Sequence, residues 1–334
     1  MSPTQLDVEG LTKYFRVGNA VFDRSRVHAV DDVTFSLRPG TITALVGESG
    51  SGKSTVARLL VKLYAPTSGR VIFDGDDLTR VRGRRRTLAY RSQVQMTFQD
   101  PFGSLNPAKT VHHHLARPLR IHHVVPANEV DDRVHELLDA VGLVPPEKVA
   151  KKYPHELSGG QRQRVAIARA LAVEPNVIVA DEPISMLDVS IRIGILNLML
   201  DLKEQRDLAF LYVTHDLASA HYVADRVLVM YAGQIVEDGP AEEVLSAPLH
   251  PYTELLLEAV PDPTASAPKE IAVRKGVAAA AVDPAEGCRF VSRCPIAIDV
   301  CSRVTPPLVE AHAGQSARCH VRAPAPAIRE EVHV

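Results

Sequence analysis

Gly47-Glu48-Ser49-Gly50-Ser51-Gly52-Lys53-Ser54, followed by Thr55, is a glycine-rich stretch that ends on a lysine and two hydroxyls. Its spacing, G-x-x-x-x-G-K-[ST], is that of a loop whose backbone N–H groups approach phosphate oxygens at a helix N-terminus. The flanks supply the context such a loop requires. Residues 41–46 read as a strand leading into it, and residues 53–63, free of Gly and Pro, carry the apolar pattern of a helix. Strand, glycine turn and helix together predict an α/β core with a nucleotide at the turn. In that setting Lys53 binds the β- and γ-phosphates and Ser54 offers its hydroxyl to Mg2+.

Further strands are expected over residues 176–180, 209–214 and 226–230, with an amphipathic helix over 191–203, an alternation that implies a mainly parallel sheet. The first of these strands runs into Asp181-Glu182. Asp181 is placed to hold the Mg2+ through water, which leaves Glu182 to orient or deprotonate the attacking water. An in-line nucleophile and charge stabilisation are what γ-phosphoryl transfer needs. Ahead of the glycine loop, Leu6 and Val8 alternate with polar neighbours and residues 27–37 do likewise, predicting antiparallel strands at the edge of the core. Between about residues 101 and 172 the pattern turns helical, broken by Pro118, Pro126, Pro145-Pro146 and Pro154, which reads as a helical subdomain. Residues 261–287 shift to Pro and Ala and read as a linker. The expected division is therefore a cassette over 1–260, the linker, and a tail over 288–334.

The 334 residues suit roughly two domains, and 46% apolar content supplies a sizeable core. With 38 basic and 40 acidic side chains the net charge is −2, so composition makes no case for nucleic acid or an anionic membrane. Residues 1–10 lack a signal-peptide pattern and no apolar run approaches a membrane span, so a cytosolic polypeptide is expected. The four cysteines all fall within 288–319, which in a reducing compartment favours metal or cluster ligation over disulfides.

Downstream of the phosphate loop, Leu157-Ser158-Gly159-Gly160-Gln161 resembles the signature of ATP-binding cassette (ABC) ATPases, and the resemblance extends over about residues 6–259. It implies an ABC-type P-loop ATPase with a RecA-like core, an antiparallel β subdomain, a helical subdomain and a small cysteine-bearing extension. By the same resemblance, Gln99 in Met96-Thr97-Phe98-Gln99-Asp100-Pro101 senses Mg2+ and the attacking water. Ser185-Met186-Leu187-Asp188 resembles the D-loop, with Met186 where a small residue is commoner and Asp188 reaching toward a partner. His215 resembles the switch histidine that contacts the γ-phosphate, where a polar imidazole is suited to the task. Tyr14 resembles the aromatic that stacks on adenine, with Phe15 the competing choice and simple core filling the alternative for either. Ser158, Gly159, Gly160 and Gln161 would meet the ATP of a second cassette, so two cassettes would close on two ATP molecules.

Three stretches resemble the oligopeptide/dipeptide importer ATPases: Val27-His28-Ala29-Val30-Asp31-Asp32-Val33, Phe98-Gln99-Asp100-Pro101-Phe102-Gly103-Ser104-Leu105-Asn106-Pro107 and Tyr153-Pro154-His155-Glu156-Leu157-Ser158. Phe102 and Ser104 are closer to the second, F-type subunit. The resemblance implies a heterodimer with a second ATPase, two transmembrane permeases, an external solute-binding protein and a place on the cytoplasmic face of the membrane. Peptides are the first solute expected, with metal chelates or short sugars as alternatives. Cys288, Cys294, Cys301 and Cys319 belong to a tail that resembles this branch. Their x5, x6, x17 spacing lacks the short pairs of common zinc and ferredoxin sites, leaving a [4Fe–4S] cluster, zinc or free thiols open. The competing functions are a soluble ABC switch on ribosomes or nucleic acid, and an exporter motor.

Two further features are read as structural. His112-His113-His114 and His122-His123 point to different helix faces, which argues against a common ion. Arg80, Arg82 and Arg84-Arg85-Arg86 read as a solvated loop face.

Overall fold

The computed structural model describes residues 6–17, 25–81, 83–259, 282–312 and 314–325. β1 (Leu6–Arg16) and β2 (Arg26–Leu37) pair antiparallel, with Leu6 opposite Leu37 and Val8 opposite Phe35. β3 (Ile42–Val46) leads through the glycine turn into α1 (Lys53–Leu60). α1 stops three residues before the expected end. Lys62 takes a left-handed φ of 55°, and the bonds Lys62 N–H to Leu59 O and Leu63 N–H to Arg58 O close the helix with the paired pattern of a Schellman cap. β4 (Ser68–Phe73) and β5 (Asp76–Asp77) complete a sheet in the order β2-β1-β4-β5. Arg84, Arg85 and Arg86 are exposed, as expected, but open α2 (Arg84–Gln93) instead of lying on a loop; Arg82 lies outside the described residues.

After β6 (Val94–Thr97) come α3 (Pro101–Ser104), α4 (Val111–His122), α5 (Val130–Ala140), α6 (Pro146–Lys151) and α7 (Gly159–Leu171), the expected helical insertion. Pro118 does not break a helix but sits inside α4, which is anchored by the Thr110 hydroxyl accepting from His113 N–H. Pro146 starts α6, where a missing N–H costs nothing. The histidines of α4 serve separate partners: His112 meets Asp131 at 2.8 Å, and buried His114 meets the Asn106 carbonyl at 3.1 Å.

β7 (Val177–Asp181), α8 (Val189–Arg206), β8 (Ala209–Thr214), α9 (Leu217–Val223), β9 (Arg226–Tyr231), β10 (Gln234–Pro240), α10 (Ala241–Ser246) and α11 (Pro251–Glu258) complete the cassette. The expected linker falls largely on residues 260–281, outside the described residues. Beyond it, β11 (Val309–His312) and β12 (Gln315–Ala317) return to the core. The larger sheet runs β11-β12-β10-β9-β3-β8-β7-β6, parallel from β9 to β6 and antiparallel from β9 to β11. The tail thus adds two strands to the nucleotide-site sheet.

Period-2 alternation divides β8 between two cores. Phe210 and Tyr212 pack with Ile178, Ala180 and helical residues such as Leu115 and Val165, while Leu211 and Val213 pack with Val179, Leu6 and Val56 of α1. Both faces are covered, so the strand reads as a continuous apolar run. Each large side chain buried here contributes about 1.5–3 kcal/mol.

Candidate active site

The C-terminal ends of adjacent parallel strands carry the catalytic candidates, the usual position of a ligand in such sheets. β3 ends in the glycine loop, β7 in Asp181-Glu182, and β8 runs into His215. Register holds the last two together: Asp181 lies opposite Val213, and Glu182 N–H donates to the Val213 carbonyl at 2.9 Å.

The loop's geometry demands its glycines. Gly52 has φ 112°, and a Cβ there would lie 2.1 Å from the Ala29 carbonyl oxygen; at Gly47, φ 149°, it would lie 2.2 Å from that of Met230. Lys53 Nζ folds back over the loop, donating to the carbonyls of Gly47 at 2.7 Å and Glu48 at 2.8 Å, with Ser51 Oγ at 3.5 Å. Burial lowers the Lys53 pKa against the upward pull of Glu182, Asp181 and Glu48. An ammonium surrounded by carbonyls and short of a full counter-charge suits a polyphosphate. Thr55 N–H bonds the Gly52 carbonyl at 3.0 Å in the first turn of α1, and Gly50 takes φ 83°.

Ser54 Oγ donates to Asp181 Oδ1 at 3.1 Å, and burial pushes the Asp181 carboxyl upward. Two hard oxygen donors in contact, one an under-compensated buried carboxylate, fit a Mg2+ that takes its remaining ligands from phosphates and water. When bound, that ion neutralises charge on the phosphates.

Glu182 holds a left-handed φ of 46°, secured by its bond to Val213 and by Ser185, whose Oγ donates to the Glu182 carbonyl at 3.0 Å. Its carboxylate is bracketed: Gln99 Nε2 donates to Oε2 at 2.8 Å and His215 Nδ1 lies 3.2 Å from Oε1. Two residues far apart in the chain thus converge on one carboxylate.

The Tyr14 ring stacks on His28 with centroids 3.8 Å apart, and its hydroxyl donates to Asp31 Oδ1 at 2.6 Å. Burial and the Asp31 bond push the phenol up to about 12. Phe15 turns instead edge-on to Tyr64 at 5.5 Å. Ser158 caps α7 in a reciprocal box, its Oγ accepting from Gln161 N–H at 3.2 Å while Gln161 Oε1 accepts from Ser158 N–H at 3.0 Å. Gly160 is required by packing, since a Cβ would lie 2.5 Å from Ile191 Cγ2. Ser158 and Asp188 stand at the surface, the latter at the N-cap of α8 with no side-chain capping bond.

Two tail residues that were absent from the expected site reach it. Arg293 forms a two-pronged ion pair with Glu48, Nη2 to Oε1 at 2.9 Å and Nη1 to Oε2 at 3.2 Å. Arg289 pairs with Asp31, the carboxylate that holds Tyr14, and also donates to the Ala232 carbonyl. Tyr252 is a third addition, its hydroxyl accepting from Glu48 N–H at 2.8 Å. The only sequence signal for the arginines is their place among the tail cysteines.

The four cysteines line one small cavity of about 10 Å³, with His250 and Phe290 in its wall. All are free thiols, and burial pushes Cys288 up to about 11. Among the described residues no group of three or more His, Cys, Asp or Glu is arranged to hold a metal ion. A cavity of this size holds about one water. Of the cluster, zinc and free thiols left open by the sequence, the iron–sulfur cluster finds no support among the described residues.

Comparison with known proteins accords with this architecture. Residues 30–185 match the family described as ABC transporter, and residues 236–301 match the oligopeptide/dipeptide transporter C-terminal region. The chain belongs to the ABC transporter ATPases, in the branch that carries this C-terminal region: an ATPase coupled to transport. It is 43% identical, over 98% of its length and 92% of the relative's, to a probable peptide ABC transporter ATP-binding protein, y4tS, of Sinorhizobium fredii. It is 42% identical to the oligopeptide transport ATP-binding protein AppF of Bacillus subtilis, over 95% of this chain and 97% of that one. Among solved structures, the cassette MJ0796 in a dimeric post-hydrolysis state bound to ADP and Pi superposes with TM-score 0.62 at 29% identity, covering 71% of this chain and 98% of that one. No helix among the described residues is long and apolar enough to cross a membrane.

Proposed function

We propose that the chain is the ATP-hydrolysing motor of a membrane importer for oligopeptides or dipeptides, working at the cytoplasmic face. The carrying observation is the Glu182 carboxylate, bracketed by Gln99 and His215 at the strand ends beside Lys53 and the Ser54–Asp181 pair. Lys53 and the backbone of 47–55 bind the β- and γ-phosphates, Ser54, Asp181 and Gln99 surround the Mg2+, Glu182 orients or deprotonates the attacking water, and His215 contacts the γ-phosphate. Tyr14 carries the adenine. The substrate reading is supported by the peptide-transport names of the relatives.

Ser158, Gly159, Gly160 and Gln161, at the start of α7, serve the ATP of a second cassette, and Asp188 reaches across the same interface. An exposed apolar patch of Met186, Val189 and Ile193 adjoins it, and a dimeric cassette is among the similar structures. The second cassette is a different ATPase subunit, with this chain the F-type member. Closure on ATP switches two permeases that receive solute from an external binding protein. The cassette spans 1–260, the linker 261–287 and the tail 288–334.

The test is a tagged Glu182→Gln pull-down from solubilised membranes with Mg-ATP, with partners identified by mass spectrometry. Two permeases and a second ATPase are expected; ribosomal proteins or nucleic acid in their place would overturn the transport reading.

A further inference from the structure

A carboxylate inside a phosphate-binding loop repels its ligand unless another charge cancels it. Glu48 is such a carboxylate, close enough to Lys53 to pull on its ammonium. Arg293 cancels it from 245 residues away. Its guanidinium, 8% exposed, forks onto both oxygens of Glu48 and lies against the rings of Phe290 at 5.6 Å and Tyr231 at 5.8 Å. A fork of this kind, shielded from solvent and fixed in direction, is the strong form of an ion pair.

A second link runs to the other end of the site. Arg289, also 8% exposed, holds Asp31 Oδ2 and the Ala232 carbonyl. Asp31 in turn accepts the Tyr14 hydroxyl and faces His28 Nδ1 at 3.4 Å, and the His28 ring is the one stacked on Tyr14. The end of the linker runs beside the same strand, where Val282 bridges Val27 and Asp283 N–H donates to the Arg26 carbonyl at 2.9 Å.

We infer that Arg293 and Arg289 are positioning residues of the nucleotide site, supplied by the C-terminal tail: Arg293 neutralises Glu48 under the phosphates, and Arg289 fixes the Asp31–Tyr14 platform under the base. This rests on the reading of residues 47–55 as the phosphate loop and of Tyr14 as the adenine platform. The tail is therefore part of the ATP site and sets its affinity, with each arginine acting on a different part of the ligand.

That division sets the experiment, carried out on the full chain with Mg-ATP and with inorganic tripolyphosphate, which has no base. Arg293→Ala weakens binding of both ligands by about tenfold. Adding Glu48→Gln to Arg293→Ala restores both to within about threefold of Glu48→Gln alone, because the amide no longer repels phosphate. Arg289→Ala weakens ATP by about fivefold or more and leaves tripolyphosphate within about twofold of the wild type. Thermal melts identify any variant that fails to fold; should Arg293→Ala do so, Arg293→Lys and the Arg293→Ala/Glu48→Gln pair carry the measurement. Unchanged binding in Arg293→Ala, absence of rescue by Glu48→Gln, or equal loss of both ligands in Arg289→Ala overturns the inference. The underlying site reading fails separately, if the wild type does not bind ATP or Lys53→Ala binds it normally.

Discussion

Gln99 Nε2 donates to Glu182 Oε2 at 2.8 Å, joining the entrance of the helical insertion to the carboxylate at the end of β7. With His215 on the other oxygen at 3.2 Å, the carboxylate has one neighbour at the entrance of the helical insertion and one just beyond the end of β8.

Replacing Glu182 with Gln removes the proposed base but keeps the shape. ATP binding should persist while turnover falls at least ~10²-fold, the usual cost of losing a positioned general base. Steady-state hydrolysis alongside equilibrium binding checks this, and near-normal turnover would remove Glu182 from its role.

Gly52→Ala tests the loop's backbone. The added Cβ would lie 2.1 Å from the Ala29 carbonyl oxygen and 2.6 Å from Met230 Cε, at a φ of 112°. A loss of about 1–3 kcal/mol in stability is expected, together with loss of ATP binding. Chemical denaturation measures the first and titration the second; a fully stable, ATP-binding variant would show that the loop adapts.

The patch at Met186, Val189 and Ile193 is 54%, 73% and 54% exposed. If it meets a second cassette, Glu182→Gln mixed with the partner ATPase subunit and Mg-ATP should show the mass of the pair by light scattering, and adding Val189→Asp should return the mixture to monomer masses. A charge desolvated in an interface without a partner is costly enough to dissociate it. Dimer mass retained in the double variant would place the pairing face elsewhere.

His250 gives the tail junction a pH signature. It is buried, its Nδ1 accepts from Tyr252 N–H at 3.0 Å, and burial lowers its pKa from 6.5 to about 3. Between those values the unfolded chain holds the extra proton, so this contribution is complete above about pH 6.5 and is lost as pH falls toward 3. The slope reaches at most about 1.4 kcal/mol per pH unit. Glu237, which accepts from His250 N–H and is pushed upward by burial, acts in the opposite sense. The comparison is therefore with His250→Asn, which keeps the helix cap and Glu237. Its melting temperature should fall less steeply than the wild type's between pH 6.5 and 4, and parallel curves would count against the buried neutral imidazole.

The sequence alone disclosed the features that depend on contiguous residues. The glycine loop, Asp181-Glu182, the Ser158–Gln161 signature and the apolar runs of β3, β7 and β8 are local, because hydrogen-bond geometry and period-2 or period-3.6 burial act between near neighbours. Pro118 defies its local preference because the packing of α4 that overrides it is not local, whereas Arg84–Arg86 open α2 in keeping with arginine's helix propensity, which a reading from charge alone passes over. Only the tertiary structure decided what the tail does. No periodicity links Arg293 to Glu48 or Arg289 to Asp31, and no spacing rule says that the four cysteines gather at one cavity. Those outcomes depend on β12 pairing with β10, which closes a long stretch of chain and brings the tail's charges against the phosphate loop.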